Sequence, residues 1–275
     1  MRWFGNSEET PERKKSGLGS SAVQGIVMLA TSVALRCFVR CGCINAAISA
    51  RAMQEIGVLF ALEPAVMALY PPGKERREAL LRHAGHSNTH PSMMPLYLGI
   101  TLSLEARIAD GSLPAAALGG LSRTLSTTLS AIGDGFFEGA VLPCWSLACV
   151  IVVLCGHVWA AVALTALLVA GMAVFRICLF FYGLRHGVAA LQWLKRLALI
   201  DWAGRIKRVN AVMLALLPGV SPWAAHSFPW LLCMPALLCA VAAMAFAGRV
   251  RFPRILFWLM GVSCLAFLDA ALVRG

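Results

Sequence analysis

Charge is what this chain most conspicuously lacks. Only 13% of its 275 residues are charged, 59% are hydrophobic, and the mean hydropathy is +0.75. Soluble domains sit near 45–50% apolar and about 25% charged, so the shortage excludes an ordinary soluble domain and leaves a polytopic membrane protein. Acidic residues are the scarcer kind, with 13 Asp and Glu against 24 Lys and Arg, for a formal net charge of +11. In a membrane protein that excess belongs to cytoplasmic loops facing anionic lipid. The basic clusters lack the interleaved exposed aromatics of a nucleic-acid-binding face, which argues against nucleic acid as a partner.

Paired cysteine spacings are absent too. The ten cysteines fall mostly inside apolar runs (Cys144, Cys149, Cys155, Cys178, Cys233, Cys239, Cys264), where free cysteine packs as a small hydrophobe. No secreted disulfide framework is visible. The cluster "CFVRCGC" (Cys37, Cys41, Cys43) has neither CxxC pairs nor a partnering His cluster and reads as packing near a helix end. "GLGSS" at 17–21 lacks the Lys-Ser/Thr ending of a phosphate-binding loop. No nucleophile–base pair is placed as enzyme chemistry demands, so no catalytic residue, metal or cofactor is assigned. No tandem repeat is evident.

What is present is an ordered series of apolar runs. Residues 1–17 form a polar, basic tail, expected to be cytoplasmic from Arg13, Lys14 and Lys15. Leu18 to Leu35 is just long enough to be a helix at or in the membrane; a cleaved signal peptide fits less well, because the charged tail is long and no cleavage site leads into a soluble domain. Ser49 to Tyr70 is apolar at helical spacing and interrupted by Glu63-Pro64. "PPGKERREALLRHAGHSN" is a water-facing loop and short helix with Lys74, Arg76, Arg77 and Arg82, placed on the cytoplasmic side. "HPSMMPLYLGITLSLEARI" follows as an apolar helix. Two long spans, Val141 to Gly156 and His157 to Tyr182, precede an interfacial basic stretch, "LRHGVAALQWLKRLALIDWAGRIKRVN". Apolar runs at Ala211–Val220, Trp230–Ala247 and Ile255–Val273 close the chain.

Two polar islands stand out in this background. In the first, Asn88 or Thr89 ahead of Pro91 reads either as a helix start, with a side-chain oxygen capping, or as part of a ligand site. Glu105, at the far end of the next apolar helix, either pairs with Arg107 or a headgroup, or belongs to that site. The second island lies in Leu113 to Ala140, rich in Gly, Ala, Ser and Thr, residues that let membrane helices approach closely. Within it, Asp134 sits between Gly133 and Gly135, which predicts an irregular turn covered by protein or water. An acidic side chain inside a membrane segment is a functional candidate, and an interfacial cap is the plainer alternative. Asn, Thr, His and two carboxylates can together match the paired donors and acceptors of a polyol.

Taken in order, "MQEIG" (53–57), Pro64, Tyr70, "RHAGHSNTHP" (82–91), "LGITLSLE" (98–105) and "LSAIGDGFF" (129–137) resemble the IID subunit of the mannose/fructose/sorbose-type phosphotransferase system. Arg176, "YG" (182–183) and Gly187 fit more loosely. The resemblance implies an all-α polytopic membrane protein with full spans plus short re-entrant or broken helical hairpins, a single membrane domain over residues 18–275 behind the 1–17 tail. It implies a hetero-oligomer in the bacterial inner membrane, in which IID and a IIC subunit translocate a hexose. A IIB subunit, charged through IIA, phosphorylates the sugar, so this chain is non-catalytic and carries no phosphorylation site. Asn88, Thr89, Glu105 and Asp134 are the expected substrate-binding residues, and Gln54, Gly57, His83, Pro91, Gly99 and Gly133 the structural ones. The alternative is a membrane scaffold that recruits the soluble phosphotransferase proteins and moves no sugar. The chain departs from the family pattern: the usual "LMGPLAGIGD" reads "LSTTLSAIGD", and the aromatic pair ahead of Asn-Thr is His86 and Ser87.

Overall fold

The computed structural model describes residues 30–50, 53–85 and 87–220. The 1–17 tail, most of the 18–35 run, His86 and the two C-terminal apolar runs therefore lie outside the described residues. Among the described residues the regular structure is entirely helical. It divides into two compact units, one of residues 30–146 and 162–207, the other of 147–161 and 208–220.

The first unit opens with α1 (Thr31–Cys41). Its Ala34, Cys37 and Cys41 are buried, at the three- and four-residue steps that put side chains on one helix face; these cysteines pack in the core, while Cys43 is exposed. A 3-10 turn (Ile44–Ala47) leads to α2 (Glu55–Leu69), which contains Pro64. Proline has no N–H, so the carbonyl four residues back loses its helical donor. Arg40 from α1 donates to that carbonyl, on Phe60, at 3.0 Å. The same guanidinium reaches Glu63 at 2.6 Å and stands 4.4 Å over the Phe60 ring. The interruption expected at Glu63-Pro64 is thus bridged by the neighbouring helix, and α2 runs on unbroken.

After a turn at Pro71–Gly73 comes α3 (Lys74–His83), the predicted short basic helix, and then α4 (Met94–Ala109). Every residue of α4 from Met94 to Ala106 is buried. A helix apolar all round has no solvent face to offer and becomes the centre of a bundle. It packs against α1, α2 and, further along the chain, α5 (Ala116–Gly133) and a 3-10 turn (Gly187–Ala189). Fully burying a Leu or Ile contributes about 1.5–3 kcal/mol, and Leu96, Leu98, Ile100 and Leu102 are all 0% exposed. α4 begins three residues beyond Pro91. No side chain caps it, and Pro95 sits in its first turn, so the cap expected from Asn88 or Thr89 does not form; those residues bond elsewhere.

The Gly/Ser/Thr-rich segment is one continuous helical run from Ala116 to Leu154, 39 residues long. The interruption expected at Gly133–Gly135 takes the form of a change in winding: residues Asp134–Val141 are π-helical, and α6 (Leu142–Leu154) continues from them. The run's apolar α6 end suits lipid, and its polar α5 end requires protein or water. The second long run, Val158–Leu214, also has the length and composition to cross a membrane. It comprises α7 (Val158–His186), the 3-10 turn, α8 (Ala190–Arg196) and α9 (Leu199–Val220), with positive φ at Gly187 (53°) and Ala198 (47°) marking its two breaks.

α4 and α7 cross at van der Waals limits. A methyl on Gly99 would lie 2.3 Å from the Phe180 carbonyl oxygen, and one on Gly183 would lie 2.9 Å from that of Leu96. The second unit holds the turn between α6 and α7, where Trp159 is 84% exposed, together with the end of α9.

Candidate functional site

The polar residues of the first unit form three groups, two at the start of α4 and one near its far end. Gln54 builds the first. Met53, at φ 53°, turns the backbone ahead of α2, and Gln54 N–H donates to the Ser87 carbonyl at 2.9 Å. The Gln54 side chain then clasps the Thr89 backbone on both sides, accepting from its N–H at 2.7 Å and donating to its carbonyl at 2.9 Å. Its amide nitrogen also donates to Asn45 Oδ1 at 2.9 Å. Opposite, Ser126 of α5 accepts from the Asn88 N–H at 3.1 Å, donates to the Asn88 carbonyl at 2.9 Å, and lies 2.9 Å from the Thr89 hydroxyl. Thr89 is 1% exposed. Gly57 permits this docking of α2, since a methyl there would lie 2.3 Å from the Ile44 carbonyl oxygen.

Glu105 anchors the second group. It is 1% exposed. Tyr70 donates to its Oε1 at 2.7 Å, Arg82 donates to the same oxygen, and His83 Nε2 lies 2.9 Å from Oε2. Burial pushes the carboxyl up, but the hydrogen bond and charge of His83, with the hydrogen bonds of Arg82 and Tyr70, outweigh it and hold Glu105 below its ordinary value. Burial, reinforced by the neighbouring carboxylate, pushes the Tyr70 phenol up, so it remains a donor. The structure thus joins "Y70", "RH" and the glutamate of "LGITLSLE" in one network.

His90 forms the third. Its ring lies against Gly133, where a methyl would meet the His90 Cβ at 2.3 Å, and stacks on Phe137 with centroids 5.4 Å apart and planes 12° apart. Ser92 N–H donates to Nδ1 at 3.1 Å, so the neutral imidazole carries its proton on Nε2, the nitrogen 3.7 Å from Glu138. Burial lowers the His90 pKa against the charges of Glu138 and Asp134. His90, Asp134 and Glu138 place ligand atoms within 4.8 Å of one another, a spacing a metal ion could use. However, the Ser92 bond turns an N–H rather than a lone pair toward the carboxylates, and metal ligation needs the lone pair.

Against the first and third of these groups lies a cavity of about 310 Å³, lined by Asn88, Arg123, Ser126, Thr127, Ser130, Ala131 and Asp134. Arg123, Thr127, Ser130 and Asp134 follow steps of four, three and four, one face of α5 and its π continuation. Ser130 donates to Asp134 Oδ2 at 3.3 Å. Of the four expected substrate ligands, Asn88 and Asp134 line this cavity. Thr89 stands behind it through Ser126, and Glu105 is enclosed by its own network. Sequence reasoning missed Arg123, Thr127 and Ser130, although their helical spacing with Asp134 was the available signal. An amide, hydroxyls, a carboxylate and a guanidinium can satisfy the donor–acceptor pairs of a hydroxylated ligand.

Comparison with known proteins agrees with the motif order. The family model described as the PTS system mannose/fructose/sorbose family IID component matches residues 29–220. The chain is 28% identical over 163 residues to the fructose permease IID component of Bacillus subtilis (strain 168), covering 58% of each chain. It is 38% identical over 93 residues to the PTS system mannose-specific EIID component of Escherichia coli (strain K12), covering 33% of each. The matched stretches thus span between a third and three-fifths of those relatives' lengths. A solved structure described as a membrane protein superposes with a TM-score of 0.60 at 20% identity, over 86% of this chain and 97% of that one; the likeness is one of fold.

Proposed function

The chain belongs to the mannose/fructose/sorbose-family IID components of phosphotransferase systems, and from that premise we propose that it is the IID membrane subunit of a sugar permease. It is a membrane protein whose described residues include two long apolar helical runs and a central buried helix. In the proposed assembly it sits in the bacterial inner membrane as a multi-pass chain with its N-terminus in the cytoplasm, bound to a IIC subunit. The pair translocates a hexose that phosphorylated IIB converts to a sugar phosphate, with IIA recharging IIB.

The observation that carries this reading is the polar face of α5 around the cavity. On a helix that continues into an apolar span, exposed Asp134, Thr127 and Asn88 beside it are costly against lipid and are retained where protein or water covers them. A IIC subunit closing over that face would leave a polar passage. In it, Asn88, Thr127, Ser130 and Asp134 replace the water around sugar hydroxyls. Thr89 and Glu105 act at one remove, Thr89 by fixing Ser126 and the Asn88 backbone, Glu105 by holding α3 to α4.

The test is uptake of radiolabelled hexose by cells expressing this chain with its IIC, IIB and IIA partners. Uptake requires all four proteins. With membrane insertion intact, Asp134→Ala lowers it at least about tenfold, as loss of a hydrogen bond to a charged group implies, and Asn88→Ala lowers it about two- to tenfold, as loss of a neutral one implies. Normal uptake in both variants would refute the site. Uptake without this chain would refute the function.

A further inference from the structure

Resting on that reading, we propose that the cavity accepts a sugar bearing one anionic group, with Arg123 as its counter-charge. The described Lys and Arg ion pairs join Arg40 to Glu63, Lys74 to Glu78 and Arg82 to Glu105. Arg123 has no carboxylate partner among the described residues, although it lines the cavity. A neutral hexose needs hydroxyl partners, which Asn88, Thr127, Ser130 and Asp134 already provide. A guanidinium can donate to such hydroxyls as well, but its planar fork is matched on both arms only by a carboxylate or phosphate.

The charges are also separated. Arg123 and Asp134 are 11 residues apart on one run, about 16 Å along the axis. Neighbouring contacts orient the two ends. Next to Arg123, Ser122 lies 2.6 Å from the hydroxyl of Tyr97 on α4, and α4 runs from there toward Glu105 and the basic helix α3. Beside Asp134, Gly133 packs on His90. An anion is thus drawn to the α3 side while hydroxyls meet Asp134 and Asn88. The anion has two possible sources: a carboxylate on the imported sugar, or the phosphate on the product.

The experiment is equilibrium binding of radiolabelled D-glucuronate, D-glucose 6-phosphate and D-glucose to the purified full-length chain with its IIC partner, wild type against Arg123→Gln and Arg123→Lys. A charge-assisted bond predicts wild-type affinity for at least one anionic sugar about tenfold or more above that for D-glucose. That ratio falls to about one in Arg123→Gln and is partly retained in Arg123→Lys, which also shows that the fold survives at this position. Preference for glucuronate alone assigns a sugar-acid substrate; preference for the phosphate alone assigns product recognition. Equal affinity for charged and neutral sugars, or a preference that survives Arg123→Gln, overturns the proposal while leaving the permease reading in place. Failure to bind any of the three overturns this proposal, and if hexose uptake also fails, the permease reading falls with it.

Discussion

Replacing Glu105 with alanine tests how the bundle is held together. The substitution leaves Arg82, at 20% side-chain exposure, and His83, at 2%, facing no anion, and strips the Tyr70 hydroxyl of its acceptor. Removing one partner of a buried ion pair costs about 3–5 kcal/mol. At about 2–4 °C per kcal/mol for a large domain, the melting temperature should fall by about 6–20 °C. Glu105→Gln keeps an oxygen for Tyr70 and loses only the charge, so its fall should be smaller. The assay is thermal unfolding of the detergent-solubilised complex followed by size-exclusion fluorescence. Because the folded carboxyl is held below its ordinary value, its contribution is fully present above about pH 4.3 and is lost as the pH falls through the lower folded value. The Glu105→Ala deficit should therefore shrink as the pH falls through that lower value. A Glu105→Ala protein melting within about 2 °C of wild type would refute the reasoning.

Gln54→Ala removes the clasp on Thr89 and leaves a buried N–H and carbonyl unsatisfied, at about 1–3 kcal/mol each; destabilisation and reduced uptake should appear together in melting and transport assays. Gly99→Val drives a side chain into the Phe180 carbonyl, and overpacking of about 1–3 kcal/mol or more should show as lower yield of folded complex. Gly133→Ala pushes on His90 and should depress sugar binding more than it depresses thermal stability, measured on the same preparation.

Much of this was legible in the chain. The apolar run at 94–106 marks a helix, and the scarcity of polar residues singles out Glu105, but its partners are Tyr70, Arg82 and His83 rather than the Arg107 or headgroup expected. The Pro64 interruption was visible, but its repair was not, because it depends on Arg40, more than twenty residues away. The π winding after Gly133 was also hidden: flanking glycines allow a turn or a widened helix equally, and packing of His90 and Phe137 selects the second. The division of labour among the polar residues needed three dimensions. Asn88 and Thr89 are adjacent in sequence, yet one lines the cavity and the other is locked behind it by Gln54 and Ser126. Arg123, Thr127 and Ser130 carried a helical spacing that only acquires meaning once Asn88 faces it.

The most direct test of the central claim is alkylation of Ser130→Cys by N-ethylmaleimide in the complex with IIC, followed peptide by peptide in a mass spectrometer with and without hexose. If sugar occupies the cavity between Asn88 and Asp134, saturating hexose slows labelling at position 130 several-fold while leaving native Cys155 unaffected. An unchanged rate at 130 in a preparation that still binds and transports hexose would place the sugar elsewhere and contradict the account.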